Sequence, residues 1–116
     1  MNYIVDFITK NATDKLTTFE KVKMIIRLVR QNRVLIIEDG LSPEEEAELI
    51  KQTMSVIDFE NFIGLEFFNW NRNSSDSRRF FKRTTLSGDK YTVVAPSAAV
   101  QIIENSQELL SIKFSS

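Results

Sequence analysis

Hydrophobic and polar positions alternate along YIVDFIT (3–9), a stretch rich in β-branched and aromatic side chains, which predicts a strand. NATDK reads as a loop. LTTFEKVKMIIRLVRQN changes period: Val22, Ile25, Ile26 and Val29 recur at i, i+3, i+4 and i+7, the core face of a helix. Thr17 followed by Glu20 at the third helical position has the form of a capping box. Lys23, Arg27 and Arg30 share a different side of that helix. RVLIIED is a short apolar run ending at Gly40, consistent with a buried strand.

A second helix is expected from about Pro43 to Ile57, with Ala47, Ile50, Met54 and Ile57 as its buried stripe. NFIGLEFFNW (61–70) then reads as a strand with Ile63, Leu65 and Phe67 toward the core. Residues 71–89 form a long polar and basic connection, either mobile or, around Phe80 and Phe81, extending the flanking hairpin. KYTVVAPS is a strand stopped by Pro96, AAVQIIEN a short helix capped by Ser97, and LLSIKF a last strand. The resulting order, β-α-β-α-β-β-α-β, predicts an α/β (α+β) two-layer sandwich. Residues 34–114 form a ferredoxin-like core and an extra β-α unit precedes it. Helices on both faces of a mixed sheet are the alternative. No internal repeat divides the chain, so residues 1–116 read as a single domain.

Composition narrows the chemistry. The chain has no Cys, which excludes disulfides, zinc ribbons and thiol catalysis. It has no His, so neither a Ser-His-Asp nor a Cys-His constellation can be assembled from it alone. Gly40, Gly64 and Gly88 are the only glycines, too few for a P-loop, a dinucleotide fingerprint or a KH-type loop. No catalytic residue and no cofactor is expected. The N-terminus lacks a basic region before its apolar run, and no run reaches the roughly 18 apolar residues of a membrane span. A soluble, cytoplasmic protein is therefore expected.

The net charge of −1 conceals a segregation. Residues 1–33 and 69–116 are net basic, and residues 34–68 carry nine acids against Lys51. In EDGLSPEEEAELI (38–50), Ser42 suits the N-cap, Pro43 the first helical position and Glu45 the third, so a helix start accounts for the central glutamates. Glu38, Asp39, Glu44 and Glu48 remain as a candidate surface for a basic protein partner. They are also the candidate ligands of a metal-dependent enzyme, although no metal site is expected from them without a second motif. In the long connection, Arg72, Arg78, Arg79, Lys82 and Arg83 surround Phe80 and Phe81. Basic residues interleaved with aromatics suit single-stranded RNA or DNA, whose phosphates pair and bases stack. An RNA-recognition motif would carry its stacking rings on strands equivalent to VLIIED and KYTVVAP, where Tyr91 is the only aromatic residue. Trp70 reads as closing the edge of the core, with an exposed contact as the alternative.

The run from Arg33 to Phe67, above all Gly40 to Glu66, resembles domain-of-unknown-function family 2073 of archaea. This chain departs from that pattern at Ala95-Pro96, where relatives tend toward Gly-Pro. The resemblance implies genes often found beside an Era-like GTPase, some described as origin-associated. It thus implies a non-catalytic adaptor or regulator with a protein partner and possible RNA or DNA contact, and the apolar runs predict no membrane partner.

Overall fold

The computed structural model describes residues 3–58, 60–71, 90–97, 100–105 and 109–114. β1 (Ile4–Ile8) lies parallel to β2 (Arg33–Glu38), in register from Ile4 opposite Arg33 to Ile8 opposite Ile37. Between them come one turn of helix, α1 (Lys10–Thr13), where a loop was expected, and α2 (Thr18–Val29). α2 begins with the predicted capping box: Thr17 accepts from the Glu20 amide and Glu20 accepts from the Thr17 amide. It ends where Asn32 takes a positive φ of 63° and turns the chain into β2. Val22, Ile25, Ile26 and Val29 are all buried, as their spacing predicts. Each contributes about 1.5–3 kcal/mol.

β2 leads through an elbow at residues 39–42 into α3 (Pro43–Val56). β3 (Leu65–Asn71) follows and pairs antiparallel with β4 (Lys90–Pro96), which also pairs antiparallel with β2. The sheet order is β1-β2-β4-β3. β2, α3 and β3 therefore form a split β-α-β with β4 inserted, the ferredoxin-like arrangement, and β1-α2 is the extra unit before it. The layers are those of the expected α/β sandwich. α2, α3, Leu35, Ile37, Phe67 and Val94 share one core. On the opposite face Val34, Val93 and Ala95 form a second, smaller cluster with Ile112 packed against it.

Three further expectations change. AAVQIIEN does not form a helix: Val100–Asn105 is a strand, β5, paired antiparallel with β6 (Leu110–Phe114) in a separate two-stranded sheet with an irregularity between Ile102 and Glu104. Val100, Ile102 and Ile103 are β-branched and suit a pleated strand better than one or two turns of helix. The second face of the main sheet therefore meets Ile112 of a hairpin, not a helix. The strand expected from residue 61 begins only at Leu65, because Gly64 has φ +124° and Phe62 folds inward to a bridge with Asp58. Finally, the buried side of α3 is Leu49 and Thr53 with Val56 packed beside them, and Ile50, Met54 and Ile57 face outward.

Candidate nucleic-acid interface

Strand alternation sets the two faces of the main sheet. Ile8, Leu35, Ile37, Val94 and Phe67 point to the helices. Phe7, Ile36, Tyr91, Val93, Phe68 and Trp70 occupy the opposite parity and point away from them. On that face the rings of Phe7, Tyr91 and Trp70 form a row from one edge strand to the other. Phe7 and Tyr91 meet edge-on, with centroids 6.1 Å apart and planes at 60°. Tyr91 and Trp70, directly opposed in the β3–β4 ladder, stack at 5.8 Å with planes at 28°. Phe7 is 56% exposed, and Tyr91 and Trp70 are half-buried. Such a row presents π-faces and ring edges to a planar ligand.

Sequence reasoning missed this row for a definite reason. It sought rings on β2 and β4, the two inner strands, and two of the three rings lie on the edge strands β1 and β3. It also assigned Trp70 to the core edge, whereas Trp70 stacks on Tyr91 away from the helical core. The usable signal was parity, since Phe7, Tyr91 and Trp70 share a face once the pairing is known.

The row ends near the last residue pair that joins β3 to β4. Trp70 opposite Tyr91 is one step from Asn71 opposite Lys90, and the chain between Asn71 and Lys90 is the basic connection. Arg72, Arg78, Arg79, Phe80, Phe81, Lys82 and Arg83 lie outside the described residues. Lys23, Arg27 and Arg30 do not extend the row. They stand on α2, in the helical layer on the other side of the sheet.

The acidic stretch is dispersed into structural roles. Ser42 caps α3, accepting from the Glu45 amide at 3.1 Å, while Glu45 accepts from the Ser42 amide at 2.9 Å. Glu45 also pairs at 3.0 Å with Lys21, a largely buried cation that donates as well to the Gly40 carbonyl. Asn69 donates to Glu46 at 3.0 Å. Behind the elbow, the Leu41 amide donates to Thr92, Thr92 donates to Asn69, and Lys90 donates to the Leu41 carbonyl. Gly40, at φ +70°, accommodates this approach: a side-chain Cβ there would lie 2.9 Å from Cε of Lys90.

Glu38 and Asp39 are brought together in a polar recess of about 340 Å³ that Lys10, Lys21 and Lys90 also line. Glu38 accepts from the Lys10 amide at 2.7 Å, holding the start of α1, and Asp39 takes a positive φ of 72° in the turn. Glu44 and Glu48 do not line that recess. Glu44 is exposed on α3, and Glu48 accepts from Gln52. Among the described residues, no group of three or more Asp or Glu side chains is placed to hold a metal ion, so the metal-dependent reading of these four acids lacks its geometry. Also among the described residues, no helix is long and apolar enough to cross a membrane.

Comparison with known protein families decides the kinship. The family model of the origin-associated protein OapB matches residues 13–115. The chain belongs to the OapB family. This match replaces the resemblance to domain-of-unknown-function family 2073 and the archaeal attribution made with it. The adaptor or regulator role beside an Era-like GTPase rested on that resemblance alone, and the OapB match overturns it. Glu38, Asp39, Glu44 and Glu48 thereby lose that partner. No curated protein and no solved structure matches the chain.

Proposed function

We propose that this chain is a non-catalytic, origin-associated module that binds unpaired nucleic acid on the face of its main sheet opposite α2 and α3. One observation carries the reading: the Phe7–Tyr91–Trp70 row crosses that face and ends one residue pair from Asn71 and Lys90, between which the sequence carries the basic connection. Stacking on such rings selects unpaired bases, because bases in a duplex are already stacked on one another. Arg78, Arg79, Lys82 and Arg83 supply phosphate contacts, Arg72 lies nearest the row in sequence, and Phe80 and Phe81 add stacking surfaces. The family description supports the setting, since opening a duplex at an origin exposes single strands.

Fluorescence anisotropy with a labelled oligothymidylate tests the proposal. The wild-type chain is expected to bind the single strand more tightly than a duplex of equal length. Tyr91→Ala should weaken single-strand binding about tenfold, in line with ~1–3 kcal/mol per stacked base. Alanine at Arg78, Arg79, Lys82 and Arg83 together should flatten the dependence of affinity on salt. Unchanged affinity in Tyr91→Ala and Phe7→Ala would remove the ring row from the interface.

A further inference from the structure

The second feature that calls for a ligand lies in the other layer. Residues of α2, with Gln52 and Val56 of α3, line an open groove of about 660 Å³. Met24, Ile26 and Val56 give it an apolar floor, and Lys23, Arg27 and Arg30 line its α2 side. These cations fall at i, i+4 and i+7, so they stand in a row about 10 Å long on one side of the helix. All three are exposed. Lys23 is steadied over the Phe19 ring at 5.3 Å and Arg30 over the Phe62 ring at 5.6 Å, contacts that fix the cations without neutralising them.

Among the described residues none of the three forms an ion pair; the two that occur are Lys21–Glu45 and Arg33–Asp6. Glu20 also lines the groove, tied to its own N-cap amide, so three cations face one carboxylate there; Asp58 is held mainly by the Glu60 amide and Asn61, with Arg30 as its weakest influence. The rim therefore keeps net positive charge above a floor that a phosphate backbone would not use.

We infer that this groove receives an acidic amphipathic helix of a protein partner, with apolar side chains on the floor and carboxylates against Lys23, Arg27 and Arg30. Carboxylates at i, i+4 and i+7 of such a helix match the spacing of the cations, and helix-in-groove docking uses this combination of apolar anchors and flanking charge. The inference stands apart from nucleic-acid binding, because the groove and the ring row lie on opposite sides of the main sheet.

The test titrates the full chain with a synthetic helical peptide that carries leucines along one face and glutamates at i, i+4 and i+7 beside it. The control is a peptide of the same composition in scrambled order. The patterned peptide is expected to bind more tightly than the scrambled one. Arg27→Glu at the rim and Val56→Asp at the floor should each weaken it about tenfold or more. Arg27 is exposed, so its variant should retain the wild-type thermal melt, and its affinity for oligothymidylate should be unchanged. Amide chemical-shift changes on α2 and α3 would place the peptide independently of either variant. Equal binding of the two peptides, no binding, or an Arg27→Glu effect confined to oligothymidylate would each overturn the inference. The last result would assign the cations to nucleic acid.

Discussion

Thr53 and Asp58 show how single groups tune this molecule. The Thr53 hydroxyl of α3 is buried and has no hydrogen-bond partner among the described residues. A lone buried hydroxyl costs about 1–3 kcal/mol, and valine has the same shape without that cost. Thr53→Val is therefore expected to raise stability by about 1 kcal/mol, read as a shift of the urea midpoint at constant slope. Asp58 works in the opposite sense. Its carboxylate accepts from the Glu60 amide at 3.0 Å and from Asn61 at 2.8 Å, and these bonds, the amide first, hold its pKa below the ordinary aspartate value. A depressed folded pKa means that the ionised group favours the fold above the unfolded-state value of about 3.9 and that this contribution is lost as pH falls through the lower folded value. Asp58→Asn should lose stability near neutral pH and flatten the part of the acid-unfolding curve below about pH 4. An unchanged curve would mean that the turn does not depend on the charge.

The elements show what was legible in the sequence and what was not. α2 could be read in full, because its cap, its apolar period and its end are all local. α3 could be placed but not oriented. Two stripes compete on it, and the more continuous apolar one, Ala47, Ile50, Met54 and Ile57, lost to Leu49, Thr53 and Val56. The decisive contact is long-range: Lys21 on α2 holds Glu45 on α3, and a helix pinned at Glu45 presents residues 49, 53 and 56 on that side. Lys21→Ala should cost about 2–3 kcal/mol by chemical denaturation, because it leaves a half-buried carboxylate without its cation. A loss below about 0.5 kcal/mol would contradict this pinning role. β5 was misread for a related reason. Six residues with three β-branched side chains carry too little period to separate strand from helix, and only pairing with β6 decides.

At the scale of the whole molecule, two surfaces of different chemistry lie back to back. One is the row of rings on the face opposite α2 and α3, the other the basic-rimmed groove in the helical layer. The acidic stretch that dominates the sequence is largely spent on the elbow before α3: Glu45 and Glu46 bind neighbouring elements and Glu38 holds α1. The residues that matter most for the proposed function were harder to see, because Phe7, Tyr91 and Trp70 are far apart in sequence and meet only through strand order. Trp70 is the sole tryptophan of the chain and stands in that row, so its fluorescence reports on the central claim directly. Titration with oligothymidylate at low salt should quench Trp70 emission saturably, and Phe7→Ala and Tyr91→Ala should shift the midpoint to higher concentration. Emission that does not respond to a single strand, or responds equally in the two variants, would contradict the account.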